Sequence, residues 1–145
     1  MTDEASRLDT IWRQLWRPRP VWMTGVMLFC FYMTFIYMPF DMFVKPVEQD
    51  EEVWFGFVLH GWYAKATEPL HWAIYAAGAW GFYHMRAWMT PWAALYTMQV
   101  AIGMLVFSGT DPRGSGWVPG LIHAAVFTGL ASALWFGRHH FGSQH

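Results

Sequence analysis

Seven histidines are spread along this chain, and they are the side chains best suited to hold a cofactor. A neutral imidazole is a common axial ligand of haem iron, and a pair of them facing each other can hold one b-type haem. His71 and His123 each stand near the start of a long apolar stretch. At about 1.5 Å of rise per helical residue, their depths differ by only a few ångströms if the two stretches lie face to face. His60 and Glu68 fall near the same level. The candidate cofactor-binding set is therefore His71, His123, His60 and Glu68, with haem b as the group it would hold.

Other spacings offer less. His84 is rotated well off the face of His71 and finds no matching histidine at its own depth. His139-His140 resembles one piece of the histidine boxes of membrane di-iron enzymes, but the other boxes are missing. Gln99, the sole strongly polar side chain near the middle of its apolar stretch, reads as interhelical glue. Cys30 is the one cysteine, which excludes an internal disulfide and a cysteine metal cluster. The sequence carries no Gly-rich phosphate loop, nucleophile elbow or metalloprotease helix motif. No catalytic residue and no metal site are expected.

The elements that must position these residues follow from composition. Of the 145 residues, 55% are hydrophobic and 13% are charged, about half the charge of an ordinary soluble domain. Aromatics make up 20%, which excludes a disordered chain. Nine Lys plus Arg against ten Asp plus Glu exclude a basic nucleic-acid binder. The mean hydropathy of +0.19 understates the apolar character, because common scales score Trp and Tyr near neutral. Four stretches lack Asp, Glu, Lys and Arg over nearly the ~20 residues needed to cross a bilayer. They run over about 21–40, 69–85, 91–107 and 117–137. Thr67 and Thr90 are expected to cap helix N-termini, with Pro69 and Pro91 in the first turn.

The expected architecture is an all-α membrane protein, a single domain over 1–145 built as an antiparallel bundle of four transmembrane helices. Residues 3–17 read as an amphipathic helix, with Leu8, Ile11, Trp12, Leu15 and Trp16 on one stripe and arginines beside it. Such a helix suits the headgroup region. Residues 53–64 are too short to cross and too apolar to stand in water. They are expected to form an interfacial or partly re-entrant helix, a lid on the first outer loop. Small residues concentrate in the second and fourth stretches, as in Ala77-x-x-x-Gly81, Gly120-x-x-x-Ala124 and Ala125-x-x-x-Gly129. These two spans are expected to meet at the bundle centre.

Orientation follows from the basic residues. With the N-terminus inside, Arg7, Arg13, Arg17, Arg19, Arg86 and Arg138 are cytoplasmic, and Lys45, Lys65 and Arg113 are outside. That bias favours N-in and C-in placement in a bacterial inner membrane. The first apolar run has no small-residue cleavage site after it and reads as an anchor rather than a signal peptide. The function expected is a small non-catalytic inner-membrane protein, either an accessory subunit of a larger complex or a binder of lipid-like molecules. Its partners would be the lipid bilayer and other membrane subunits or further copies of itself, with no nucleic acid. Two alternatives come from other classes: a redox protein binding haem b or quinone near its outer face, and a small oligomeric transporter.

Overall fold

The computed structural model describes residues 2–15 and 19–142. Helix α1 (Thr2–Leu15) is followed by α2 (Val21–Phe43), which contains a π-helical turn at Met33–Tyr37. A 3-10 turn leads into strands β1 (Glu51–Trp54) and β2 (Phe57–His60). Helices α3 (Trp62–Tyr83), α4 (Met89–Thr110) and α5 (Trp117–Phe136) complete the chain, with a last 3-10 turn at Gly137–His140. The chain is thus mostly helical. Leu8, Ile11 and Trp12 of α1 are exposed, so the described part of its apolar stripe does not pack on the rest of the molecule. Trp16 and Arg17, assigned to the same stripe and flank, lie outside the described residues.

Three helices are long and apolar enough to cross a membrane: Val21–Phe43, Met89–Thr110 and Trp117–His140. Helix α3 has 22 residues, yet Lys65, Glu68 and His71 in its first half lower its hydropathy. Its start corrects one expectation. Because α3 begins at Trp62, Pro69 lies inside the helix and Thr67 donates to the Ala64 carbonyl at 2.8 Å instead of accepting from amides at a helix start. Pro69 has no N–H, so one i→i−4 bond is missing there.

Two seams of buried residues set the packing. On α2, Met23, Met27, Cys30, Thr34, Met38 and Asp41 are buried in turn at intervals of three and four, a single stripe of the helix. On α3 the same intervals connect Ala64, Glu68, His71, Tyr75, Ala79 and Phe82, of which His71 and Tyr75 are half-buried and the rest buried. The seams meet where Gly78 faces Cys30, since a Cβ at Gly78 would stand 3.0 Å from the thiol sulfur. Helices α4 and α5, joined by residues 111–116, make the largest helix–helix contact. Gly120 sits there against Ser108.

Small residues therefore act within the pairs α2/α3 and α4/α5. The second and fourth spans make little contact among the described residues, not the expected central one, and a Cβ at Gly129 would meet nothing within 4 Å. The apolar core lies toward one end, where Met23, Met27, Phe82, Met89, Leu134 and Phe141 cluster.

The loop between α2 and α3, expected to be an outer lid, departs from expectation in kind. Residues 51–60 form an antiparallel β-hairpin, with Glu52 opposite Leu59 and Trp54 opposite Phe57, not an interfacial helix. Val53, Trp54, Phe57 and Val58 favour extended backbone. Phe55 and Gly56 make the two-residue turn with φ of 51° and 91°, the positive-φ pair of a tight hairpin. Gly56 also lets the turn rest on α4, because a Cβ there would overlap Val106.

Candidate functional site

The alternation of a strand has a large effect on the acidic run that precedes the hairpin. Asp50, Glu52 and Trp54 turn inward while Glu51 and Val53 turn outward, the period of two that extended backbone imposes. The inward acids meet Asp41 from the end of α2 and Glu68 from α3. All four are buried: Asp41 is 3% exposed, Asp50 1%, Glu52 8% and Glu68 0%. Buried carboxylates need partners, and two lysines supply them.

Lys45 Nζ lies 2.9 Å from Asp41 Oδ1 and 2.8 Å from Asp50 Oδ1. Lys65 Nζ lies 3.4 Å from Asp50 Oδ2 and 3.4 Å from Glu68 Oε1. The same ammonium donates to the carbonyls of Asp41 at 2.5 Å and Lys45 at 3.1 Å. Those carbonyls belong to the C-terminal end of α2, where a helix presents unsatisfied acceptors and partial negative charge. Lys65 thus caps one helix from another.

One acid pairs with histidine. His71 Nδ1 is 2.6 Å from Glu52 Oε2, and its ring stacks on Trp54 with centroids 4.1 Å apart and planes 11° from parallel. One turn further along α3, Tyr75 packs edge-on to Tyr96 of α4 with centroids 6.2 Å apart. Trp72 donates its indole N–H to the Thr34 carbonyl, at 2.8 Å, inside the π turn of α2.

The electrostatics follow the pairing. Burial, with the adjacent Asp50 second, pushes Glu68 up to about 7. Burial works against the Asp50 carboxylate, but Lys45, Glu68 and Lys65 hold it below its ordinary range. Lys45 is raised despite its own burial, by Asp50 and Asp41. On the outer face of the hairpin, Arg113 pairs with Glu51 and, at 3.0 Å, with Asp111, while His60 Nδ1 lies 3.2 Å from Glu51. This second set ties the hairpin to the α4–α5 connection.

The four residues expected to hold a cofactor are thus distributed over three places. His71 and Glu68 belong to the buried cluster. His60 belongs to the exposed Glu51–Arg113 set. His123 is exposed on α5, and the described partners of His71 lie on β1 and on α3 itself. Asp41, Glu52 and Glu68 each bring one oxygen within 4.8 Å of the other two. That grouping of acids, together with Asp50, Lys45 and Lys65, was not among the candidates from sequence. A usable signal existed: Asp41 continues the stripe of Met23 through Met38. No family model, curated protein or solved structure matches the chain.

Proposed function

We propose that this chain is a small, non-catalytic, multi-pass membrane protein that serves as an accessory subunit of a larger membrane assembly. In this reading all four long helices cross a bacterial inner membrane as a bundle, with both termini cytoplasmic and the hairpin outside. The observation that carries it is the apolar surface. Only 28%, 22% and 17% of the apolar windows of the three spanning helices are buried within the chain. Phe35, Phe40, Trp92, Val126 and Phe136 project outward, a surface that lipid or partner helices must cover.

The ion pair between Glu51 and Arg113 supports the crossing number. It joins the loop before α3 to the loop after α4, and an even number of crossings between them keeps both on one side. The mutual pairing of the buried charges supports a structural use for them. Native mass spectrometry from lipid nanodiscs, extracted without prior detergent purification, tests the reading. A stoichiometric membrane partner is expected. A single chain carrying only bulk phospholipid would overturn the subunit reading, and a retained lipid-like molecule would replace it with the binder reading.

A further inference from the structure

We propose that Asp50 and Glu68 form a binding site for a single proton, and that this proton locks the β-hairpin onto the outer ends of α2 and α3. The inference is independent of whether the chain serves a partner. Both side chains are fully buried, and each brings one oxygen to 3.4 Å from the same Lys65 ammonium. Two ionised carboxylates can only accept, so they can bond to one another only when one of them carries a hydrogen. Glu68 Oε2, meanwhile, is buried and has no hydrogen-bond partner among the described residues. An unsatisfied ionised oxygen in that position is costly, and a neutral hydroxyl costs less.

Charge counting gives the same answer. Asp41 and Lys45 face the pair from the end of α2, Asp50 and Glu52 from the strand, and Lys65, Glu68 and His71 from α3. Four carboxyls thus meet two ammonium groups and one imidazole. One proton on the carboxyl pair cuts the excess of carboxylates over ammonium groups from two to one. A metal cation fits less well than a proton. Lys45 and Lys65 already lie against Asp50 and would repel a further full charge, whereas a hydrogen fits inside the existing contact.

The site also spans the joint it would lock. Asp50 leads directly into β1, and Gly61, at the end of the hairpin, donates to the Asp50 carbonyl at 3.0 Å. Undocking returns Glu68 to water and to its ordinary value of 4.5, against about 7 when docked. A group raised by docking strengthens the docked form fully below its ordinary value. That contribution is lost as pH rises through the docked value. The hairpin should therefore be held in mildly acidic medium and released in alkaline medium.

The test uses the full chain in lipid nanodiscs with two readouts. Infrared difference spectra should show a carboxylic-acid C=O band that disappears as pH is raised through about 7 and is absent in Glu68→Gln. Amide hydrogen exchange across residues 51–60 is then compared between wild type and Glu68→Gln at each pH, so that the intrinsic pH dependence of exchange cancels. Between pH 6 and pH 9 the ratio of wild-type to variant exchange should rise about tenfold, the part of the linkage still to be lost over that interval. Asp50→Asn should move the loss of the band to lower pH. Absence of the band in wild type overturns the proton site. A band present with an exchange ratio that is the same at both pH values overturns the lock.

Discussion

The Glu52 carboxylate lies 2.6 Å from His71 Nδ1, and Trp54, two residues further along the same strand, stacks on the same imidazole. One ring is thus held at its edge and across its face by β1. The strand uses its period of two to present both groups to one helix, so His71 acts as the anchor point of the hairpin. His71→Ala should leave the buried Glu52 without its described partner, at a cost of about 1–3 kcal/mol. The loss should be local. Limited proteolysis should cut between 51 and 60 before any change in helix content. Proteolysis identical to wild type would show that the hairpin docks without this contact.

Lys65 should matter more than Lys45. Its ammonium serves Asp50, Glu68 and two carbonyls at the end of α2, and its side chain is 14% exposed against 23% for Lys45. Lys65→Met leaves buried carboxylates with one cation fewer, a loss of about 3–5 kcal/mol. Thermal unfolding in detergent should show a larger drop for Lys65→Met than for Lys45→Met. The reverse order would place the main charge balance at the end of α2.

Sequence patterning located the helices well because apolar length and charge-free runs are one-dimensional properties. It missed how the helix ends are used. Ending the first span at Phe40 cut the buried stripe one residue before Asp41, and beginning the second at Pro69 left Glu68 in a loop. Both acids occupy seam positions and pair with lysines four and three residues away, but their burial depends on Asp50 and on a strand not yet recognised. The hairpin was hidden by its own composition, since a short aromatic run suits an interfacial helix as well as a strand until Phe55-Gly56 is read as a turn. His123 shared the depth of His71, but the helix pairing that would bring them face to face depended on which small residues meet.

That pairing separates two glycines that look equivalent in sequence. Gly78→Leu should destabilise the fold, because even its first carbon would press on the Cys30 sulfur. Gly129→Leu should be tolerated by the isolated chain, since nothing lies within 4 Å of the added carbon. Detergent melting curves that shift equally for the two variants would mean that α5 is packed in another way. Gly56→Ala should resemble Gly78→Leu, as its φ of 91° and the overlap with Val106 both oppose a side chain.

Stability should also fall on the acid side. Asp50 is held below its ordinary value of 3.8 by Lys45, Glu68 and Lys65, against the effect of burial. A group lowered by folding contributes above its ordinary value and loses that contribution as pH falls through the folded value. The melting temperature of wild type should therefore decline below about pH 4, and Asp50→Asn should flatten that decline. An unchanged acid limb in the variant would assign the acid sensitivity to another carboxylate.

The placement of α3 can be decided by thiol labelling in a Cys30→Ser background. Helix α3 carries Lys65 and Glu68, yet Glu68 is buried and Lys65 half-buried, with Lys65 paired to Asp50 and Glu68, so they do not oppose insertion of residues 69–83. If α3 crosses, cysteines at Val53 and Ser115 share one side and cysteines at Ser6 and Ala87 share the other. Intact spheroplasts should then label Val53→Cys and Ser115→Cys with an impermeant reagent, and label Ser6→Cys and Ala87→Cys only after lysis. If α3 lies on the surface instead, Ala87→Cys joins Val53→Cys and Ser115→Cys moves to the opposite side. That outcome would also separate Glu51 from Arg113, because their loops could no longer meet. Charge reversal at the pair provides an internal check: Glu51→Arg should loosen the contact and Glu51→Arg with Arg113→Glu should restore it. An exposed ion pair contributes little to stability, so restoration is read from a disulfide between cysteines at Val53 and Ser115 rather than from melting. Failure of that crosslink in every background would remove the support for two crossings between the loops.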